Sequence, residues 1–84
     1  MSTLAKGLRF DDSMMWVELM DGRQLGVPLA YFPRLLDAAP QQRGDYVISG
    51  GGAGIHWDAL DEDISVEGLL AGRGDLTARH RMAA

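Results

Sequence analysis

The stretch Met14-Met15-Trp16-Val17-Glu18-Leu19-Met20-Asp21-Gly22-Arg23-Gln24-Leu25-Gly26-Val27 decides the fold, because it reads as strand, turn and strand in one run. Strict alternation puts Met15, Val17 and Leu19 on one face of the first segment. Met14, Trp16, Glu18 and Met20 take the other. Both faces carry apolar groups, so Trp16 is expected to be partly covered. An Asp-Gly pair between strand-like segments suits a type I′ turn with φ > 0 at both Asp21 and Gly22. A strand from Arg23 to Val27 follows, and Pro28, which has no N–H for a ladder, ends it. Upstream, Lys6 to Phe10 is a further strand, joined through the polar cluster Asp11-Asp12-Ser13. The first half is therefore predicted to be a three-stranded meander.

Downstream, Phe32, Leu35 and Leu36 fall at the spacing of one helix face, which predicts a helix over Tyr31–Ala39. Pro33 fits its first turn and Pro40 is expected to stop it. Asp45–Ser49 reads as a fourth strand, Gly50–Gly54 as a loop and Ile55–Trp57 as a brief fifth strand. A second helix is expected over Ile64–Gly72, with Ser65 as its cap and Ile64 packed on Leu69 as a hydrophobic staple. The fold class expected is α+β: one small antiparallel sheet of four to five strands, one main helix packed on it, and a second short C-terminal helix. Residues 1–72 are expected to form a single α+β domain and residues 73–84 a flexible basic tail.

Size and composition narrow the function. With 84 residues there is room for one core, and a domain so small buries only about 60% of the surface its unfolded chain exposes. The 46% hydrophobic and 24% charged content is the balance of a globular protein. Without cysteine there are neither disulfides nor thiolate metal sites, so a homodimer or a bound partner would add stability. The N-terminal residues lack the apolar core of a signal peptide and no run approaches a membrane span. A cytoplasmic location with no membrane association is the expectation. The net charge is −4, unevenly spread: eleven of the twelve acids lie in residues 1–72, whereas Arg73, Arg79 and Arg81 lie beyond. An acidic body opposes phosphate binding and suits a basic protein partner. Nucleic acid would be met only through the tail.

The densest chemistry is His56-Trp57-Asp58-Ala59-Leu60-Asp61-Glu62-Asp63. His56 with these acids is a conceivable metal site, but one histidine without a second helical pair of ligands falls short of a metal set. The carboxylates of Asp61, Glu62 and Asp63 are consecutive, with nothing to separate their pKa values for acid–base work. No Ser-His-Asp or Cys-His nucleophile set occurs, so neither an enzyme nor a cofactor is expected. The glycines of Gly50–Gly54 match no phosphate-loop signature, since Ile55 stands where a last glycine is needed and no Lys-Ser/Thr pair follows. Trp57 and Trp16 suit either a core or the anchor of an interface. Arg73-Gly74-Asp75, an integrin-type tripeptide, is read as coincidence.

Taken together, Asp21-Gly22-Arg23, Val27-Pro28-Leu29, Phe32-Pro33-Arg34-Leu35, Gln42-Arg43, Gly52-Ala53-Gly54-Ile55-His56-Trp57, Leu60-Asp61-Glu62-Asp63-Ile64-Ser65-Val66 and Leu69-Leu70 resemble the bacterial domain-of-unknown-function 2442 family, from about Leu8 to Gly72. The resemblance implies a small α+β domain, sometimes followed by a helix-turn-helix domain, which is not expected here. It further implies a neighbouring gene for another small protein, the pair resembling a toxin and its antitoxin, with this chain as the antitoxin. Asp58 and Tyr46 depart from the family pattern, which commonly has proline after the His-Trp pair and an aromatic, often tryptophan, in the fourth strand.

The expectation is a non-enzymatic module that neutralises a small, basic, toxin-like protein encoded nearby. Trp57, Asp58, Asp61, Glu62, Asp63 and Trp16 are its expected partner-binding residues, with no catalytic residue and no metal ligand. Arg34 is an alternative, internal partner for one of those acids. Two rival readings are a regulatory or DNA-associated module acting through an oligomer or its tail, and a small metal-binding protein centred on His56.

Overall fold

The computed structural model describes residues 3–72; the expected tail, with Arg73-Gly74-Asp75 and Arg79-His80-Arg81, lies outside them. Strands β1 (Ala5–Phe10), β2 (Met14–Leu19) and β3 (Gln24–Pro28) form an antiparallel meander. The alternation read from β2 is the one observed, with Met15, Val17 and Leu19 buried and Met14, Trp16 and Glu18 half-buried. Asp11 builds the first turn: its Oδ1 accepts from the backbone N–H groups of Ser13 and Met14, at 3.1 and 2.8 Å. The second turn differs from the expected type I′. Only Gly22 has positive φ, at 94°. Leu19 and Arg23 close a loop of three residues, the geometry in which one left-handed residue suffices. Asp21 stabilises it by accepting from both the backbone N–H and the Nε of Arg23.

The single helix expected over Tyr31–Ala39 is instead divided. After a 3-10 turn at Leu29–Tyr31 come α1 (Pro33–Leu36) and α2 (Pro40–Gly44). Proline explains the division. Pro33 opens α1, and Pro40, expected to stop a helix, opens α2, because a residue with no N–H fits the first helical position. Ala39 before it is extended, as a residue preceding proline prefers. Gln42 Oε1 accepts the N–H of Ala39 and fastens the start of α2.

The larger correction concerns the sheet. Strands β4 (Val47–Ser49), β5 (Gly54–Trp57) and β6 (Glu62–Ser65) form a second antiparallel meander, so the described residues make two three-stranded sheets and three short helices in place of one sheet of four to five strands under a main helix. Strand β6 takes up Glu62 and Asp63 together with Ile64 and Ser65, where the second helix was expected to begin. Its residues alternate, with Glu62 and Ile64 buried and Asp63 and Ser65 exposed. The third helix, α3 (Val66–Leu70), is capped as expected, by Ser65 Oγ accepting from Gly68 N–H at 2.9 Å.

One hydrophobic cluster joins the two sheets, drawing Ala5, Met15, Val17, Leu19 and Val27 from the first and Ile55, Trp57 and Ile64 from the second, with Leu29, Phe32, Leu35, Val66 and Leu69 from the helical segments. Ile64 and Leu69, the expected staple pair, both lie in it. The seam between the sheets runs along β1. Leu8 N–H donates to the Tyr46 hydroxyl at 3.1 Å. Gly52, at φ 113°, comes so close to β1 that an added Cβ would stand 2.7 Å from the carbonyl oxygen of Ala5. A side chain there would fail on both counts, backbone conformation and space.

Candidate functional site

In the second sheet Val47, His56 and Asp63 are paired across β4, β5 and β6, so their side chains share one face. The neighbouring row, Ile48, Ile55 and Ile64, faces the core. The His56 row therefore lies on the outer surface. His56 Nε2 stands 2.6 Å from Asp58 Oδ1, and His56 Nδ1 stands 3.6 Å from Asp63 Oδ1. The imidazole is half-buried at 35% exposure, whereas the carboxylates are open, at 93% for Asp58 and 79% for Asp63. Beside them Val47 exposes 56% of its surface.

These carboxylates raise the pKa of His56 above its ordinary 6.5, the hydrogen bond to Asp58 contributing most and partial burial opposing it. The sign follows from linkage. The stabilisation is fully present below the unfolded value and is lost as pH rises through the higher, folded one.

The other acids of the run separate by environment. Asp61 turns the chain between β5 and β6 with φ 51°, and its carbonyl oxygen accepts from Arg34 Nη1 at 2.7 Å. The alternative of an internal Arg34 contact thus lands on Asp61, but through the backbone and not the carboxylate, which leaves that exposed side chain open. Two expected partner-binding residues are withdrawn from the surface. Glu62 is buried at the place paired with Trp57. Trp57 itself is fully buried, its indole N–H donating to the Arg43 carbonyl at 2.9 Å. Of its two readings, core residue and interface anchor, the first is the one observed.

Trp16 lies on the outer face of the first sheet, in the row Arg9–Trp16–Gly26. Its Nε1–H donates to Asp11 Oδ2 at 3.0 Å, and the Arg9 guanidinium stands 5.4 Å from the ring centroid. That guanidinium is held in turn by Gln24 Oε1 at 2.9 Å. The indole bond and the two backbone N–H groups keep the Asp11 carboxyl below the usual carboxylate range. Trp16 is thus half-covered and held by Asp11 and Arg9. It belongs to a different sheet from the acids with which it was expected to act.

Among the described residues no group of three or more His, Cys, Asp or Glu side chains is disposed to hold a metal ion, and no helix is long and apolar enough to cross a membrane. What the His56 face offers chemically is charge: two open carboxylates about a titratable ring, with an apolar side chain alongside. Val47 was missed by sequence reasoning. Its place follows only from pairing β4 with β5, and the pairing of Asp63 with His56 only from β6. The alternation Glu62, Ile64, Val66 was the available signal for that strand.

The sequence profile of a family described as protein of unknown function, DUF2442, matches residues 5–75. The chain belongs to this family. Two solved structures share the fold. A crystal structure of a protein of unknown function from Rhodospirillum rubrum is 32% identical and superposes with a TM-score of 0.76, over 89% of this chain and 93% of that one. A solution structure of an uncharacterised protein from Chromobacterium violaceum is 27% identical, with a TM-score of 0.75 over 96% of this chain and 79% of that one. No curated protein matches. Membership in DUF2442 brings no activity with it, so the reading of function rests on the chain's own residues.

Proposed function

We propose that this DUF2442 protein is a non-enzymatic binding module that docks a small basic protein on the outer face of its second sheet, as an antitoxin occludes its toxin. The observation that carries the reading is the pair of open carboxylates, Asp58 and Asp63, set about His56 with the exposed Val47 beside them. Exposed carboxylates attract a cationic surface over a distance, and an adjacent apolar side chain gives the contact something to desolvate. Asp61 adds a third exposed acid at the end of the same hairpin. The net charge of −4 favours a basic partner over an acidic one.

The test is co-expression with the small protein encoded beside it, isolation of the complex, and association kinetics on a charge-reversed face. Asp58→Lys with Asp63→Lys should slow association by about tenfold at low ionic strength, with most of the loss removed at high salt. Asp12→Lys with Asp37→Lys, two exposed acids outside this face, is the control. Failure to form a complex sinks the reading, and equal kinetics in both double variants remove this face from it.

A further inference from the structure

We infer that docking on this face is gated by protonation of His56: the neutral ring frees at least one of Asp58 and Asp63 for a cationic partner, and the protonated ring holds both for itself. This rests on the reading of the face as a docking surface. A protonated imidazole donates from both nitrogens, and both of them point at carboxylates, Nε2 at Asp58 and Nδ1 at Asp63. A neutral ring donates from one nitrogen only, so at least one carboxylate is released. The local charge also changes, from two uncompensated negatives to a net of one.

The groups around the ring make His56 the local counter-charge. On the β4 side it meets the uncharged Val47, on the β6 side Asp63, and from the turn beyond β5 Asp58. Charges on Asp58 and Asp63 are the ones that act on it. The arginines of the described residues are engaged elsewhere. Arg34 is on the Asp61 carbonyl, Arg43 on the Leu35 and Leu36 carbonyls, Arg9 on Gln24 and Arg23 on Asp21. At Asp58 and Asp63 a cationic partner therefore competes with the His56 ring, and by reciprocity its binding expels the proton from that ring.

A hexalysine peptide titrated into the full chain at low ionic strength, followed by amide NMR at about pH 5 and about pH 8, tests this. Across that interval the groups that change charge are histidines and free α-amino groups, so comparison with His56→Gln assigns the change. The peptide should shift the amides of Val47, Asp58 and Asp63 and bind about two- to fivefold more tightly at the higher pH, the range that one exposed charge contact supplies. In His56→Gln the affinity should be level between the two pH values. Binding at this face with equal affinity at both pH values in the unaltered chain overturns the gate while the docking reading stands. A pH dependence that persists in His56→Gln also overturns it, since it would then belong to another group. No shift at these amides at either pH removes the docking reading and the gate with it.

Discussion

Gly26 carries no side chain, and the indole of Trp16 takes the volume one would fill: an added Cβ would stand 2.6 Å from Trp16 Cζ3. The ring cannot settle elsewhere without loss, because its N–H is tied to Asp11 and Arg9 lies against it. Gly26→Ala is therefore expected to destabilise the protein by about 1–2 kcal/mol through overpacking, read as a lower urea midpoint. In a Trp16→Ala background the same change should cost little, and an equal cost in both backgrounds would show that the indole is not what Gly26 makes room for. The sequence showed that Trp16 has apolar neighbours on its face, and partial cover followed. Gly26 as its seat was not legible, because opposing Trp16 to Gly26 depends on the loop length at Asp21-Gly22, and that turn was read as two residues where it is three. His56 and Trp57 show the same limit. Adjacent in a strand, they must face opposite ways, but only the Ile48–Ile55–Ile64 row settles which way is in.

At the scale of elements, α1 and α2 are single turns, too short to hold themselves as isolated helices. Arg43 supplies what propensity does not. From α2 its Nε donates to the Leu35 carbonyl at 2.7 Å and its Nη2 to the Leu36 carbonyl at 2.9 Å, while its own carbonyl receives the Trp57 indole N–H. One residue thus closes the end of α1 and seats the largest core side chain of β5. Arg43→Ala should cost about 1.5–3 kcal/mol, as for hydrogen bonds from a charged donor, and Arg43→Lys should recover only part of it, because an ammonium cannot span two carbonyls as the guanidinium fork does. Chemical denaturation of the three proteins checks the order, and a lysine variant as stable as the original would refute the forked contact. The amphipathic spacing of Phe32, Leu35 and Leu36 was legible, but the division into two helices was not. Pro40 reads equally as a stop or a start, and the choice depends on a tertiary bond from Arg43. Strand β6 was hidden for a different reason. Three consecutive acids suggest a solvated turn, and the alternation of Glu62 with Ile64 and Val66 was the one local sign that Glu62 enters the core.

For the molecule as a whole, two small meanders must behave as one body, and neither sheet alone has the strands to form a closed structure. The shared cluster provides most of the union, since residues from both sheets and the helical segments bury one another. Its directional part is the seam along β1, where Leu8 N–H meets the Tyr46 hydroxyl and Gly52 lies against Ala5. This seam was the least legible feature, because it joins residues far apart in the chain and uses a tyrosine whose hydroxyl role no periodicity reveals. Tyr46 keeps its ring beside Trp57, with centroids 6.4 Å apart, so Tyr46→Phe should leave that packing in place and remove only the acceptor. The expected cost is about 1 kcal/mol, the net worth of one hydrogen bond, with a single unfolding transition retained because the apolar cluster is untouched. Hydrogen exchange gives the sharper readout. The Leu8 amide should lose protection in Tyr46→Phe while the Val17 amide on β2, inside the first sheet, keeps its own. If both amides lose protection equally, the hydroxyl is supporting the first sheet as a whole. If Leu8 is unaffected, its N–H does not depend on Tyr46, and the sheets are joined by apolar packing alone.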